Sequence, residues 1–303
     1  MHLFFSVMPN YQLKTYQPNF LEDQEKIGTE VTKNWKNYFQ TPASTLKITY
    51  AQPDFDPETR HYIFDGEKMV GFLTSNIIKN GKEKIIKANL EFPLVLPGYE
   101  EAEELLFKKA IETLKKKNVR VVQTRAGDLW PGTLEKALKW GYKFFTDHYI
   151  IMEAKIKEII VEKIKDYDIK DYEPNRDLNE LVEIFEKKLN WPKEQIVNNF
   201  ETIFKNKDSY PVHLIIRDKG KIVSRVLIFR DLNNPKELTF GTLILEDEKY
   251  LNSILFEISE RIKGLTVETI SIVLWNEIFT MEQKFKSFGF YRKGKISYYE
   301  KEI

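Results

Sequence analysis

Few side chains in this 303-residue sequence have the spacing that nucleophilic or metal chemistry requires. It contains no cysteine, which excludes disulfides, thiolate nucleophiles and zinc–thiolate sites. No two of the four histidines, His2, His61, His148 and His213, have the spacing of metal ligands, so no metal site is predicted. No serine stands in a Gly-x-Ser-x-Gly elbow. Metal chemistry and Ser-His-Asp chemistry are therefore set aside.

The composition limits the partners and the location that we expect. The 47 basic and 46 acidic side chains give a formal charge of +1, so no net field attracts nucleic acid or an anionic membrane. No stretch approaches the roughly 20 apolar residues of a membrane helix, and the opening MHLFFSVMPN lacks the features of a signal peptide. With the absence of cysteine, this predicts a cytoplasmic protein. Richness in Lys, Glu and Ile is typical of thermophiles.

The sequence repeats itself in three places, in the same order. The echoes pair residues 11–19 (YQLKTYQPN) with 167–175 (YDIKDYEPN), 61–70 (HYIFDGEKMV) with 213–223 (HLIIRDKGKIV), and 140–142 (WGY) with 288–290 (FGF). Their nearly constant separation indicates a tandem duplication of a unit of about 150 residues. We therefore predict two domains, residues 1–156 and 157–303, joined within residues 155–165.

Hydrophobic periodicity predicts the same order of elements in both halves. The first half is expected to contain strands at 11–16, 60–65, 69–78, 84–96, 119–124 and 142–153, with helices at 21–38, 100–117 and 134–139. The second is expected to contain a strand near Tyr167, helices between 177 and 204, a hairpin around 218–221, strands at 238–245, 268–274 and 290–300, and helices at 250–262 and 280–286. The fold class is mixed α/β, of the α+β type.

This order resembles that of the GNAT-type N-acetyltransferase superfamily, and short motifs agree with it. Asn276 at the end of the penultimate strand, followed by a short helix and Phe288-Gly289-Phe290, resembles the closing motif of the family, and residues 134–142 are the matching piece of the first half. Residues 94–99, before an amphipathic helix, resemble the strand and loop that receive acetyl-coenzyme A. The resemblance implies two tandem domains, each a mostly antiparallel twisted sheet flanked by helices.

The resemblance also implies where an acyl-CoA donor would bind. In the family the fourth strand splays from the fifth, its free backbone groups bind the pantetheine arm, and the diphosphate sits at the N-terminus of the following helix. The matching positions are Leu94, Leu96 and Gly98 in the first half and Leu243, Ile244, Leu245, Lys249 and Asn276 in the second.

Both halves depart from the Arg/Gln-x-x-Gly-x-Gly/Ala loop of the family. The loops read GYEEAEEL from residue 98 and EDEKYLNS from residue 246, where Lys249 is the single cation. Acidic residues ordinarily cap a first helical turn, and they would also repel a diphosphate. Ala137 and Phe285, which cannot transfer a proton, replace the usual tyrosine general acid. Glu91 is the candidate general base, with an outward-facing strand carboxylate as the alternative.

Two functions are consistent with these features. One is a coenzyme A-dependent N-acyltransferase that acts on the amine of a small molecule or peptide, with the second half active because it keeps Asn276, Gly289 and Lys249. The other is a non-catalytic descendant that serves as a binding or structural module. A surface binder using an interdomain groove is a third possibility, and the neutral charge argues against nucleic acid. Trp130 and Trp275 are expected either to border the coenzyme cleft or to pack between domains.

Overall fold

The computed structural model describes residues 10–78, 85–162, 167–231 and 234–303. The elements of the first half, in chain order, are β1 (Tyr11–Thr15), α1 (Leu21–Thr32), α2 (Ala43–Tyr50), β2 (Arg60–Asp65), β3 (Lys68–Ile78), β4 (Lys87–Leu90), β5 (Leu94–Val95), α3 (Ala102–Lys116), β6 (Val121–Gly127), α4 (Thr133–Lys139) and β7 (Lys143–Lys155). Those of the second half are β8 (Asp168–Asp171), α5 (Pro174–Leu189), α6 (Lys193–Lys205), β9 (Val212–Asp218), β10 (Lys221–Arg230), β11 (Glu237–Phe240), β12 (Ile244–Leu245), α7 (Leu251–Ile262), β13 (Thr269–Leu274), α8 (Glu282–Ser287) and β14 (Tyr291–Glu302). His2, Lys84 and part of the predicted junction lie outside the described residues.

The predicted order of elements is confirmed, with one added helix in the first half. The single strands predicted at 84–96 and 238–245 are each divided into two, β4 and β5 in the first half and β11 and β12 in the second. The predicted helix at 21–38 ends at Thr32, and a second helix, α2, follows Pro42. Between them, Trp35 stacks on Trp130, with 5.2 Å between the ring centroids. This long-range contact holds the segment after α1 in a non-helical path, which the local sequence pattern does not reveal.

The chain forms two compact units that do not coincide with the two halves of the sequence. The N-terminal unit comprises Met1–His148 and Gly294–Ile303, and the C-terminal unit comprises Tyr149–Lys293. The end of β14 pairs with β6 in the N-terminal unit, and the end of β7 pairs with β13 in the C-terminal unit. Each sheet is therefore completed by a strand from the other half. The boundary between residues 156 and 157 remains a prediction about the duplicated sequence.

The N-terminal unit has one sheet between two layers of helices. Its strand order is β1-β2-β3-β4-β6-β14, with β5 beside β3. Only β4 and β6 run parallel among its described strand pairs. On one face α3 buries Leu106, Ala110 and Leu114, which recur at the spacing of an amphipathic helix. On the other face α1 buries Ile27.

The C-terminal unit has the same layout. Its strand order is β7-β13-β11-β10-β9-β8, with β12 beside β10, and β11 runs parallel to β13. One face carries α7, which buries Ile254, Ile258 and Ile262. The opposite face carries α5 and α6, which bury Phe185 and Phe200. No helix in the described ranges is long and apolar enough to cross a membrane.

The exchange of strands predicts which fragments fold. A fragment of residues 157–303 lacks the stretch of β7 that buries Ile150, Met152 and Ala154 beside β13. Each large buried side chain contributes about 1.5–3 kcal/mol, and a domain has only about 5–15 kcal/mol of net stability. We expect the 149–293 fragment to unfold cooperatively in urea, as followed by circular dichroism, and the 157–303 fragment to show no cooperative transition. A cooperative transition in the 157–303 fragment would show that β7 is dispensable.

Candidate functional site

In each unit one pair of parallel strands separates after a short paired stretch. In the N-terminal unit β4 and β6 pair from Lys87 opposite Val121 to Asn89 opposite Gln123. In the C-terminal unit β11 and β13 pair only as far as Thr239 opposite Ser271. Beyond these points the strands diverge, and we call each opening a splay. These are the places where the sequence resemblance positions an acyl donor.

On the α3 side, the splay of the N-terminal unit is packed with aromatic side chains. Phe92, which follows β4, stacks on Trp140 with 6.0 Å between ring centroids. Trp140 in turn stacks on Phe107 of α3 at 4.2 Å.

The Leu96 amide points away from the splay, because it donates to Val70 of β3 at 2.8 Å. By register Leu94 also faces β3, so neither predicted contact offers its backbone to a donor. By the alternation of backbone direction, Val95 between Leu94 and Leu96 is the residue of β5 whose backbone faces the splay.

In the loop between β5 and α3, an acidic side chain of the protein itself accepts the hydrogen bond that a bound anion could accept. The Glu100 carboxylate accepts a hydrogen bond from the Gly98 amide at 2.9 Å. This bond lowers the pKa of Glu100. Two further acidic residues bridge α3 to the region of α4, since Glu103 pairs with Lys136 and Glu104 accepts from the Trp140 indole at 3.0 Å. The Gly98 amide, which a diphosphate would need as a hydrogen-bond donor, therefore already has the Glu100 carboxylate as its acceptor.

On the α1 side, the N-terminal unit contains a polar cavity of about 310 Å³. Glu91 lines this cavity and forms an ion pair with Arg125 of β6 at 3.1 Å. Burial, with the Glu91 charge adding to it, raises the pKa of Tyr38 in the cavity wall to about 12, so this phenol stays protonated at neutral pH. The cavity thus combines a carboxylate, a guanidinium and a neutral hydroxyl. Its role as a general base site stays a prediction.

In the C-terminal unit the splay contains a cavity of about 90 Å³. The predicted residues Leu243, Ile244, Leu245 and Asn276 all line it. Two further lining residues, Lys188 and Glu277, form an ion pair at 3.6 Å. No sequence pattern indicates this pair, because Lys188 lies in α5, far from Glu277 in the chain.

Leu243 and Leu245, on either side of Ile244, direct their backbone groups into this cavity. The Glu246 amide donates to Val223 of β10 at 3.0 Å, and Ile244 lies opposite Arg225 of β10. Because backbone direction alternates along a strand, Ile244 belongs to the β10 ladder, while Leu243 and Leu245 face the splay. Their side chains pack in the core under α7.

Lys249 does not line the cavity, and its charge is already paired. Its ammonium lies 3.0 Å from the Asp247 carboxylate. Its amide donates to the same carboxylate at 2.9 Å, which lowers the pKa of Asp247. The loop before α7 is thus arranged like the loop before α3, with an internal carboxylate where a diphosphate would bind.

The α5 side of the C-terminal sheet is filled rather than hollow at its centre. The Arg225 guanidinium is buried among Phe185 and Phe200, 5.6 and 5.0 Å from their ring centroids. It donates to His213 at 3.0 Å and to the Thr242 carbonyl at 3.1 Å. Burial lowers the pKa of Arg225 to about 9. The centre of this face is therefore occupied by Arg225 and its aromatic neighbours.

The two residues at the general-acid positions and one of the two tryptophans are buried in the cores of their units. Ala137 and Phe285 are fully buried in their cores, where neither can deliver a proton. Trp130 is buried, and its indole donates to the Lys36 carbonyl at 3.1 Å within the N-terminal unit. Trp275, in contrast, lines the splay cavity of its unit.

The two repeat-equivalent histidines are buried in a neutral form. Burial lowers the pKa of His61 to about 4, with Lys109 and Arg60 adding to the effect. Burial likewise lowers the pKa of His213 to about 2. In the described parts of the chain, no group of three or more His, Cys, Asp or Glu side chains is placed to hold a metal ion.

Comparison with known proteins establishes the fold. No protein-family model matches the sequence, and no curated protein matches it significantly. A tandem GNAT protein from the clavulanic acid biosynthesis pathway is similar over 96% of this chain and 98% of its own, with 12% identity and a TM-score of 0.62. An acetyltransferase of the GNAT family from Colwellia psychrerythraea matches over 95% and 99%, with 11% identity and a TM-score of 0.61. A GCN5-related N-acetyltransferase from Sphaerobacter thermophilus matches over 96% and 95%, with 12% identity and a TM-score of 0.57. The predicted GNAT fold is confirmed.

The buried His61 predicts a loss of stability in acid. Its folded pKa lies below the unfolded value of about 6.5, so the unfolded chain binds the proton first and stability falls as the pH drops from about 6.5 towards 4. Between pH 7 and pH 4.5, we expect the unfolding free energy of His61→Gln to fall by about 2 kcal/mol less than that of the wild type, as measured by urea denaturation. The half-buried His148, changed to Gln, is the control and should alter the pH dependence less. An identical pH dependence in His61→Gln and wild type would contradict the assignment.

Proposed function

We propose that the chain is an acyl-CoA-dependent N-acyltransferase whose C-terminal unit binds the acyl thioester and whose N-terminal unit has lost donor binding. The observation that carries the proposal is the cavity at the C-terminal splay, lined by Leu243, Leu245 and Asn276. In the N-terminal unit, Phe92 and Trp140 stack on the α3 side of the splay.

The residues of the C-terminal splay suit an acyl-pantetheine chain. The outward backbone groups of Leu243 and Leu245 can pair with the amides of such a chain as they would with an added strand. Leu189, Trp275 and Ile278 supply apolar wall around it. Backbone amides directed at a thioester carbonyl would also stabilise the charge that develops there during attack by an amine.

Coenzyme A would supply an acyl group activated as a thioester, which an amine attacks directly to form an amide and release the thiol. Among the residues that line the cavity, Glu277 is the one able to accept the proton that the amine loses. Lys188, its ion-pair partner, is the one able to donate a proton. Phe285 cannot take part, because it is a buried hydrocarbon.

The diphosphate of coenzyme A does not fit the loop before α7 as it is arranged. Asp247 occupies the Lys249 amide and neutralises the Lys249 ammonium, and Glu246 and Glu248 add two exposed acidic side chains. A diphosphate would meet repulsion in place of free amides. We therefore expect the binding affinity to come from the acyl-pantetheine part of the donor.

The second candidate is a GNAT-fold binding protein without transferase activity. It is favoured by the filled α3 side of the N-terminal splay and by the internally paired loops of both units. The two functions differ in one measurable property, since only the transferase needs to bind an acyl thioester.

Calorimetric titration with two donors tests the proposal. We expect the wild type to bind S-acetyl-pantetheine and acetyl-CoA with affinities that differ by only a few-fold. In Asp247→Ala the Lys249 amide and ammonium become available to a phosphate, so the affinity for acetyl-CoA should rise about tenfold while that for S-acetyl-pantetheine stays constant.

Glu248→Ala is the matched control, because it removes the same charge from the adjacent position without freeing Lys249. It should raise the acetyl-CoA affinity less than Asp247→Ala does. An equal rise in acetyl-CoA affinity in both variants would show that the effect comes from the change in net charge alone. No binding of either donor at millimolar concentration would overturn the transferase proposal and support the binding module.

A further inference from the structure

Arg60 is a buried cation that has no acidic partner among the described residues. Its side chain is almost fully enclosed, with the residue 5% exposed. Nε donates to the Tyr50 hydroxyl at 3.0 Å, and Nη2 donates to the Asn76 side-chain oxygen at 2.7 Å. Nη1 donates to the Thr59 hydroxyl at 2.7 Å and to the Ser75 carbonyl. These acceptors are neutral. Burying a charge without an opposite charge costs several kcal/mol, so a charge of the opposite sign bound nearby would be stabilising.

Arg60 lines the 310 Å³ cavity on the α1 side of the N-terminal unit, together with Glu91 and Arg125. These three are the charged side chains in its wall, two cations and one anion. Arg125 is engaged by Glu91 at 3.1 Å. The cavity wall therefore carries an excess positive charge from Arg60, and an anionic group on a ligand would balance that charge.

The sheet places Arg60 and Glu91 in one transverse row. Arg60 lies opposite Thr74 on β3, and the Glu91 amide donates to the Thr74 carbonyl at 3.0 Å. Residues opposite one another on neighbouring strands point to the same face, and two strand spacings separate Arg60 from Glu91 by about 10 Å between backbones. A cation and an anion thus face the cavity from positions two strands apart.

Both groups keep bonding capacity directed to a ligand. Nη2 of Arg60 donates to Asn76 alone, which leaves its second hydrogen without an acceptor among the described residues. Glu91 uses one carboxylate oxygen for Arg125, and its other oxygen has no hydrogen bond from the described residues. Trp35 and Phe72 add aromatic wall for an apolar side chain.

We propose that this cavity is a binding site for a free amino acid, whose carboxylate binds Arg60 and whose ammonium binds Glu91. The volume is that of a small-molecule pocket. The assignment does not rest on donor binding by the C-terminal unit.

The test uses the full chain and a panel of the standard L-amino acids. Each is screened by thermal shift at millimolar concentration, and the one with the largest shift is titrated by calorimetry beside its decarboxylated amine and its N-acetyl derivative. We expect a stoichiometry of one bound amino acid molecule per chain. Each derivative should bind at least about tenfold more weakly than the amino acid, because each lacks one charged hydrogen bond.

Glu91→Gln should weaken binding of the same amino acid by about tenfold or more, since it keeps the shape of the side chain and removes its charge. Asn89→Ala is the matched control, being exposed on the same strand outside the cavity, and it should bind like the wild type. Unchanged urea unfolding of both variants shows that the fold is retained.

Three results would overturn the proposal. One is the absence of a thermal shift with every amino acid, another is a derivative that binds as tightly as the amino acid itself, and the third is equal binding of the amino acid by Glu91→Gln and wild type. None of these results depends on an acyl thioester, so failure here is distinct from failure of acetyl-CoA or S-acetyl-pantetheine to bind.

Discussion

The backbone groups left unpaired where two parallel strands separate are the constraint on which both units depend. Buried N–H and C=O groups need hydrogen-bond partners, and pairing stops after Gln123 in one unit and after Ser271 in the other. In the N-terminal unit the strand that leaves β6 re-pairs with β3, and Phe92 and Trp140 pack on the α3 side. In the C-terminal unit the edge at Leu243 and Leu245 stays open to a cavity. Because β12 re-pairs with β10 just as β5 re-pairs with β3, the units differ in the side chains that pack at the splay.

The two units differ in complementary ways. The N-terminal unit packs aromatic rings on its α3 side and keeps a polar cavity on its α1 side. The C-terminal unit packs Phe185 and Phe200 around Arg225 on its α5 side and keeps its splay open. Stacked aromatic rings contribute about 0.5–1.5 kcal/mol beyond the area they bury. Each unit thus has an aromatic cluster on one face and a cavity elsewhere, which is physically consistent with different roles for the two units.

The loops before α3 and α7 share a second feature. In both, a carboxylate of the chain binds a loop amide, from Glu100 to Gly98 and from Asp247 to Lys249. Free amides at such a position attract anions. An internal carboxylate satisfies the amide without a ligand. The acidic residues that look like ordinary helix caps in the sequence are therefore also the reason that neither loop is arranged for a diphosphate.

The sequence predicted the features that depend on local pattern. The order of elements, the splayed positions near Leu243 and Leu245 and the acidic loops all followed from periodicity, the repeat and a resemblance to a family. The sequence did not predict that Phe92 would meet Trp140, or that Arg60 would face the cavity of Glu91. Those contacts join residues that are distant in the chain, and they depend on how the sheet is assembled. The exchanged strands β7 and β14 were missed for the same reason, because each half of the sequence already contains a full set of strands.

The most direct test of the central claim is the stoichiometry of thioester binding. S-acetyl-pantetheine would be titrated calorimetrically into the full chain and into the 149–293 fragment, which contains all residues of the C-terminal splay. We predict one binding site per molecule in both cases, with similar affinity. Two sites in the full chain, or one site in the full chain and none in the fragment, would contradict the assignment of the donor site to the C-terminal unit alone.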